Sequence, residues 1–300
     1  MYGDWQIGHM PVEQYVKKHN EFAKAMRAAD PSIKLIAVGN VGPWDERMLA
    51  GCADHMDLIS EHFYCNELKS VPAHVRQIAD NVRRIAEAHR AYRKTIPALA
   101  GKDIRIALDE WNYWYGEHYY GELGTRYFLK DALGIAAGLH EYARNSDIYA
   151  MANYAQTVNV IGCITTSKTA ASLATTGQVL KLYRRHFGVV PVAVSGKAAP
   201  LDVAAAWSAD RKMLTVAIVN PLREKLDVAV DLKGASLTGE GRLWRITGEH
   251  DMAYNEPGKA PQVRIEEKPI GGVKDRLPSP PLSISLYALT VAGPPAATTR

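Results

Sequence analysis

The sequence predicts an α/β segment followed by an all-β one, and three observations carry that expectation. Up to about residue 190, stretches with apolar residues at spacings of three and four alternate with short apolar runs, the pattern of helices between buried strands. Beyond it, short runs with some period-two alternation are separated by Pro, Gly and charged turns, which fits an antiparallel β-sandwich. Each strand candidate of the first segment also ends on polar residues, as strands do where a parallel sheet carries a site at its carboxyl edge. The alternation calls for a parallel sheet, either doubly wound or part of an eightfold barrel, and no Gly-rich phosphate turn follows a strand.

Val12, Tyr15, Val16, His19, Phe22, Ala23 and Met26 lie on one helical face, with Pro11 suited to the first turn and Pro31 closing the helix. Residues 33–40 predict a short strand buried on both faces, and a short helix over 45–54 leads to a second strand over 57–64. Val71, Val75, Ile78, Val82 and Ile85 mark a long charged helix before the strand that ends on Glu110. A helix over 123–145, a strand over 148–154 and a helix over 178–186 complete the first segment. Residues 214–220, 226–230 and 282–289 are strand candidates of the second. The expected domains are therefore 1–190 and 191–293, with 294–300 a loose tail.

Glu110 is the most informative residue of the first segment. It ends an apolar strand pattern and is followed by Trp111, Tyr113, Trp114 and Tyr115. A carboxylate at a strand end can be aimed into a pocket with little freedom, and aromatic faces nearby can stack on a sugar ring. A strand cap with core aromatics is the alternative. Because alternate residues of a strand share a face, Ile104, Ile106, Leu108 and Glu110 go together, as do Leu58, Ser60, His62 and Tyr64. Extending the next strand puts Ile148, Ala150, Ala152, Tyr154 and Gln156 on one side, so Glu110, His62, Tyr64 and Gln156 can face one cavity.

Composition narrows the partners. The 300 residues are 47% hydrophobic and 23% charged, and a net charge of +4 is spread over 36 basic and 32 acidic residues without a long basic run, which argues against nucleic acid. No signal pattern or bilayer-length apolar stretch is seen, so a soluble, cytoplasmic chain with no membrane partner is expected. Cys52, Cys65 and Cys163 are scattered and odd in number, as free thiols in a reducing compartment would be. Glu61, His62 and His9 lack metal-ligand spacing, so neither metal nor cofactor is expected.

Several segments together resemble the intracellular alpha-L-arabinofuranosidases of glycoside hydrolase family 51. They are Trp5-Gln6-Ile7-Gly8-His9, Asp30-Pro31-Ser32-Ile33, Asp109-Glu110-Trp111-Asn112, Ala155-Gln156-Thr157-Val158-Asn159-Val160 and Leu277-Pro278, in order over nearly the whole chain. The resemblance implies a (β/α)8 barrel with a β-sandwich, and retaining removal of terminal arabinofuranose from arabinan, arabinoxylan and their oligosaccharides. It implies Glu110 as nucleophile, His62, Tyr64 and Gln156 as ligands of the sugar cleaved, and Trp114 as an aromatic lining the cleft. It also favours a homo-oligomer.

In that family the general acid/base is the Glu of a Gly-Asn-Glu motif just before the segment resembling Met1-Tyr2-Gly3-Asp4-Trp5-Gln6. On the resemblance, then, the chain holds the second half of the barrel and the C-terminal sandwich, with the acid/base absent. A retaining reaction needs two carboxyl groups about 5–5.5 Å apart. Asp4 and Glu61 are candidates for the second role, although Asp4 lies beyond the expected strand end and Glu61 has the opposite parity to His62. The 300-residue chain alone is accordingly expected not to turn over an aryl arabinofuranoside, and the open strand edges of a half barrel favour association. A non-catalytic binding or assembly fragment, or another barrel glycosidase such as an endoglucanase, are the alternatives.

Overall fold

The first predicted helix is present as α1 (Val12–Ala29), with Glu13 in its first turn and Arg27 in its last, each suited to the helix dipole. The computed structural model describes residues 10–116, 118–119, 124–196, 198–273 and 275–292, so Trp5 to His9, Asp4, Leu123 and the tail 294–300 lie outside the described residues. After α1 come β1 (Ile36–Ala37), α2 (Pro43–Cys52), β2 (Leu58–Cys65), α3 (Val71–Thr95), β3 (Arg105–Tyr113), α4 (Leu129–Arg144) and β4 (Tyr149–Tyr154). A small hairpin of β5 (Ile164–Thr166) and β6 (Ala171–Leu173) precedes α5 (Thr175–His186). The remainder is β7 (Val190–Val192), β8 (Asp202–Trp207), β9 (Met213–Asn220), β10 (Leu226–Ala229), β11 (Ser236–Thr247), β12 (Arg264–Ile270), β13 (Arg276–Ser279) and β14 (Ser283–Ala292).

The first sheet has the order β1-β2-β3-β4, parallel at β1–β2 and at β3–β4. Strands in sequential order joined by helices make part of a (β/α)8 barrel, and an all-β region follows. The chain divides into two compact units that are not consecutive in sequence. One holds the described part of Met1–Tyr64 with Asp80–Asn112 and Asn145–Ala155; the other holds the described parts of Cys65–Ala79, Tyr113–Arg144 and Gln156–Arg300.

In the first unit, Ala37 of β1 and Ile59 of β2 pack on Met48, Leu49 and Cys52 of α2 and on Tyr92 of α3, with Val12, Tyr15 and Val16 of α1 alongside. Ile59 and Met48 are fully buried, and each such side chain contributes about 1.5–3 kcal/mol. The outer part of the expected α1 face does not join this layer: Phe22 is 62% and Met26 49% exposed.

β1 is much shorter than the strand expected over 33–40, because side chains take the backbone groups that flank it. Asp57 Oδ2 accepts the Leu35 N–H at 2.7 Å and Asp45 Oδ1 accepts the Asn40 N–H at 2.6 Å. Gly39 passes so close to β2 that a Cβ there would lie 2.1 Å from the Ser60 carbonyl oxygen, which requires glycine.

In the second unit, α4 starts at Leu129 although helical spacing extends back to Leu123. Asp131 Oδ2 accepts the Phe128 N–H at 2.6 Å, which is half of a capping box and fixes the helix start. Thr125 is held instead by the Val160 carbonyl, at 2.8 Å. The six-stranded sheet β12-β11-β14-β9-β8-β7 is antiparallel throughout. One of its faces, with Val203, Leu214, Val216, Ile218, Tyr287 and Leu289, meets Leu277 and Val228 of the β10–β13 ribbon, giving a two-layered core. Helices α4 and α5 contact the same sheet. The three cysteines are free, as expected.

Candidate active site

Strand β2 alternates two chemistries. Ser60, His62 and Tyr64 point one way, Ile59 and Glu61 the other. Glu110, near the end of β3, meets the first set: the Tyr64 hydroxyl donates to its Oε1, and His62 Nδ1 lies 3.5 Å from its Oε2. Ser60 Oγ is 3.2 Å from His62 Nε2. The Glu110 side chain is 41% exposed and that of His62 18%, so the carboxylate is held on one side and reachable from the other.

The register of β3 with β4 explains how Glu110 is presented. Ile106 pairs with Tyr149 but Ala107 with Met151, so Ala150 is an extra residue in β4. Leu108 then pairs with Ala152 and Trp111 with Tyr154, so β3 holds an extra residue between Leu108 and Trp111, where Glu110 sits. Such bulges re-aim a side chain. Asn112, fully buried, closes the distortion by donating from Nδ2 to the Ala155 carbonyl. Trp111 stands edge-on to Tyr154 at 5.7 Å.

Of the four aromatics after Glu110, three are core residues rather than stacking surfaces. Trp111 is 1%, Tyr113 0% and Tyr115 8% exposed, whereas Trp114 is 36% exposed. In the second unit Tyr113 stacks on His74 at 4.4 Å and donates to its carbonyl at 2.8 Å. Tyr115 donates to Asp131, which also meets His74 Nε2 at 2.8 Å. Burial, with Asp131 beside it, holds the Tyr115 hydroxyl far above its ordinary range.

The remaining expected site residues belong to that second unit. The Trp114 N–H donates to the Cys65 carbonyl at 2.9 Å, leaving the ring partly exposed. Gln156 lies past the end of β4, and its Nε2 donates to the Asn159 carbonyl at 3.3 Å within its own loop. In that loop Asn159 and Val160 adopt positive φ of 55° and 51°. The structure therefore brings Glu110, His62 and Tyr64 together, and describes Trp114 and Gln156 in their own surroundings.

Behind β2 lies a cluster that sequence spacing misses. Glu61 Oε1 is 2.7 Å from His89 Nε2 and Asp45 Oδ2 is 3.3 Å from the same nitrogen, in side chains 2%, 4% and 0% exposed. Glu61 Oε2 and Asp45 Oδ1 also accept the N–H groups of Val41 and Asn40. Burial raises the Glu61 carboxyl to about 8, with Asp45 adding to the rise and His89 opposing it. Burial alone would lower His89, but hydrogen bonds to Asp45 and Glu61 outweigh it and raise it to about 9. These three residues are also the described group whose ligand atoms converge closely enough to hold a cation, all within 4.8 Å of one another. The direct 2.7 Å contact between Glu61 and His89 is that of a charge-assisted hydrogen bond. Glu61 is thus turned away from Glu110, in keeping with its parity.

The alpha-L-arabinofuranosidase C-terminal domain family matches residues 109–283. The chain is 30% identical over 311 residues to the probable alpha-L-arabinofuranosidase C of Aspergillus niger, covering 89% of this chain and 59% of that one. It is similar in structure to the alpha-L-arabinofuranosidase of Thermotoga maritima in its arabinose complex, with TM-score 0.84, 28% identity, and coverage of 96% of this chain and 64% of that one. The GH51 alpha-L-arabinofuranosidase of Thermotoga petrophila gives TM-score 0.82 at 28% identity, with the same coverage. The chain thus spans 59–64% of the length of these relatives. Among the described residues no helix is long and apolar enough to cross a membrane. A family match over more than half the chain and a shared fold along nearly all of it establish that the chain belongs to the alpha-L-arabinofuranosidases of glycoside hydrolase family 51, as their C-terminal part.

Proposed function

We propose that this chain carries the catalytic nucleophile of a retaining alpha-L-arabinofuranosidase acting on terminal arabinofuranose in arabinose-containing polysaccharides and oligosaccharides. The observation that carries the reading is the Glu110 carboxylate at a strand end, exposed on one side, with Tyr64 donating to one oxygen and the His62 ring beside the other. Such a carboxylate can attack the anomeric carbon while its partners hold it in line. The arabinose complex of the Thermotoga maritima relative supports the sugar.

In this reading residues 1–190 supply the barrel portion and 191–293 the sandwich. His62 and Tyr64 bind the sugar being cleaved as well as steering Glu110, Gln156 contacts the same sugar, and Trp114 lines the cleft with its exposed ring. The chemistry asks for carboxyl groups and water, not a metal or cofactor. The second carboxyl of a retaining pair is not assigned to Glu61, which is committed to His89 and Asp45. The family resemblance supports a homo-oligomer and a cytoplasmic location.

A dinitrophenyl arabinofuranoside tests the nucleophile apart from the acid, because its leaving group departs without protonation. Mass spectrometry of the digested protein is expected to find one pentofuranosyl group on the peptide containing Glu110, and none in Glu110→Gln. Labelling elsewhere, or equal labelling of the variant, would overturn the assignment.

A further inference from the structure

We infer that Ser60 is a positioning residue, whose hydroxyl donates to His62 Nε2 and so fixes the neutral imidazole as the Nδ1–H tautomer facing Glu110. This rests on the reading of Glu110 as an ionised nucleophile. An ionised carboxylate accepts hydrogen bonds and donates none. Tyr64 already donates to Oε1, and His62 Nδ1 lies 3.5 Å from Oε2. A bare nitrogen lone pair aimed at a carboxylate oxygen repels it, so Nδ1 carries the proton. The approach is longer than a good hydrogen bond, as catalytic contacts commonly are before substrate binds.

A neutral imidazole with hydrogen on Nδ1 has a bare Nε2, which needs a donor. Ser60 Oγ stands 3.2 Å away, on the same face of β2 two residues earlier, and the residue is 7% exposed. A hydroxyl rotates to supply that proton, whereas neither an alanine nor a carbonyl could. The strand geometry thus links three alternate residues with Glu110: Ser60 sets the tautomer, His62 presents N–H to one carboxylate oxygen, and Tyr64 presents O–H to the other. The consequence is that each oxygen of Glu110 faces a hydrogen-bond donor set by the same strand.

The test is the nitrogen spectrum of the full chain with ¹⁵N-labelled histidine, the His62 signals being those lost in His62→Gln. In the wild type, Nδ1 is expected to show the shift and couplings of a protonated nitrogen and Nε2 those of a bare one. Ser60→Ala is expected to move His62 toward the opposite tautomer, and Ser60→Thr, which keeps the hydroxyl, to restore the wild-type pattern. A wild-type His62 protonated on Nε2, or a Ser60→Ala spectrum unchanged from wild type, would overturn the inference. This readout needs no turnover. An unlabelled Glu110 with the expected tautomer would count against the nucleophile alone; a labelled Glu110 with the wrong tautomer would count against Ser60 alone.

Discussion

On one face of β2, Tyr64 and His62 meet the carboxylate of Glu110, whose side chain is 41% exposed; on the other, Glu61 is 2% exposed and lies between His89 and Asp45. Both sites pair a glutamate with a histidine at the same strand, yet solvent access separates their chemistry. Glu61 is gripped through both oxygens, by His89 and the Val41 N–H, and its proton affinity rises because water cannot solvate the charge. Glu110 keeps an open side from which a substrate can approach. The lesson is that a Glu–His pair with one flank left reachable can meet a ligand, whereas one with both flanks closed can act only within the fold.

The contrast breaks first at Glu110. Glu110→Gln is expected to lower the rate of arabinofuranosyl labelling by about 10⁴-fold or more, while urea denaturation changes by less than about 0.5 kcal/mol, as for other part-exposed positions. A large loss of stability would place Glu110 with the buried cluster instead. His89→Ala should do the reverse, leaving two carboxyls buried without their cation at a cost of about 3–5 kcal/mol. A denaturation midpoint within error of wild type would remove the cluster's structural role.

Tyr64→Phe removes one hydrogen bond to a charged group, worth about 1.5–3 kcal/mol, so labelling of Glu110 should slow by about 10- to 150-fold. Single-turnover kinetics with the dinitrophenyl glycoside measure this, and a slowing below threefold would mean that Tyr64 does not steer the carboxylate.

The buried site is also expected to carry a pH dependence of its own. Glu61 is raised from 4.5 to about 8 and His89 from 6.5 to about 9, so the folded chain binds more protons than the unfolded one between those values. Their contribution to stability is complete below the unfolded values and is lost as pH rises through about 8 and 9. Each group adds at most about 1.4 kcal/mol per pH unit to the fall. Urea midpoints measured from about pH 5 to 9 should decline, and less steeply in Glu61→Gln; an identical slope in the variant would refute the linkage.

How far the sequence carries this reading depends on the range of the interactions. Parity within β2 is local, so the grouping of Ser60, His62 and Tyr64, and the turning away of Glu61, were legible from spacing alone. The Asp45–Glu61–His89 cluster was not, because its members come from α2, β2 and α3 and meet only when the helices pack. The aromatic run after Glu110 misled for a related reason: composition cannot tell a ring that fills the core beside His74, as Tyr113 does, from one at the surface, as Trp114 is. In the second segment, β7, β8, β11, β12 and β13 escaped detection. The 12 residues of β11 include Gly239 and Gly241 and a register shift, which interrupt the alternation that marks a strand.

The distortion at Glu110 has a consequence for how this chain can diverge. β3 carries neighbouring acids, Asp109 and Glu110, and the extra residue between Leu108 and Trp111 determines which of them is turned toward Tyr64 and His62. Point changes on the flanks leave that choice intact, but loss of one residue there would straighten the strand and rotate a shorter acid, or a tryptophan, into the position. Length, more than identity, therefore sets which side chain stands beside Tyr64 and His62, and a one-residue deletion there is expected to displace the Glu110 carboxylate while the rest of the sheet keeps its pairing.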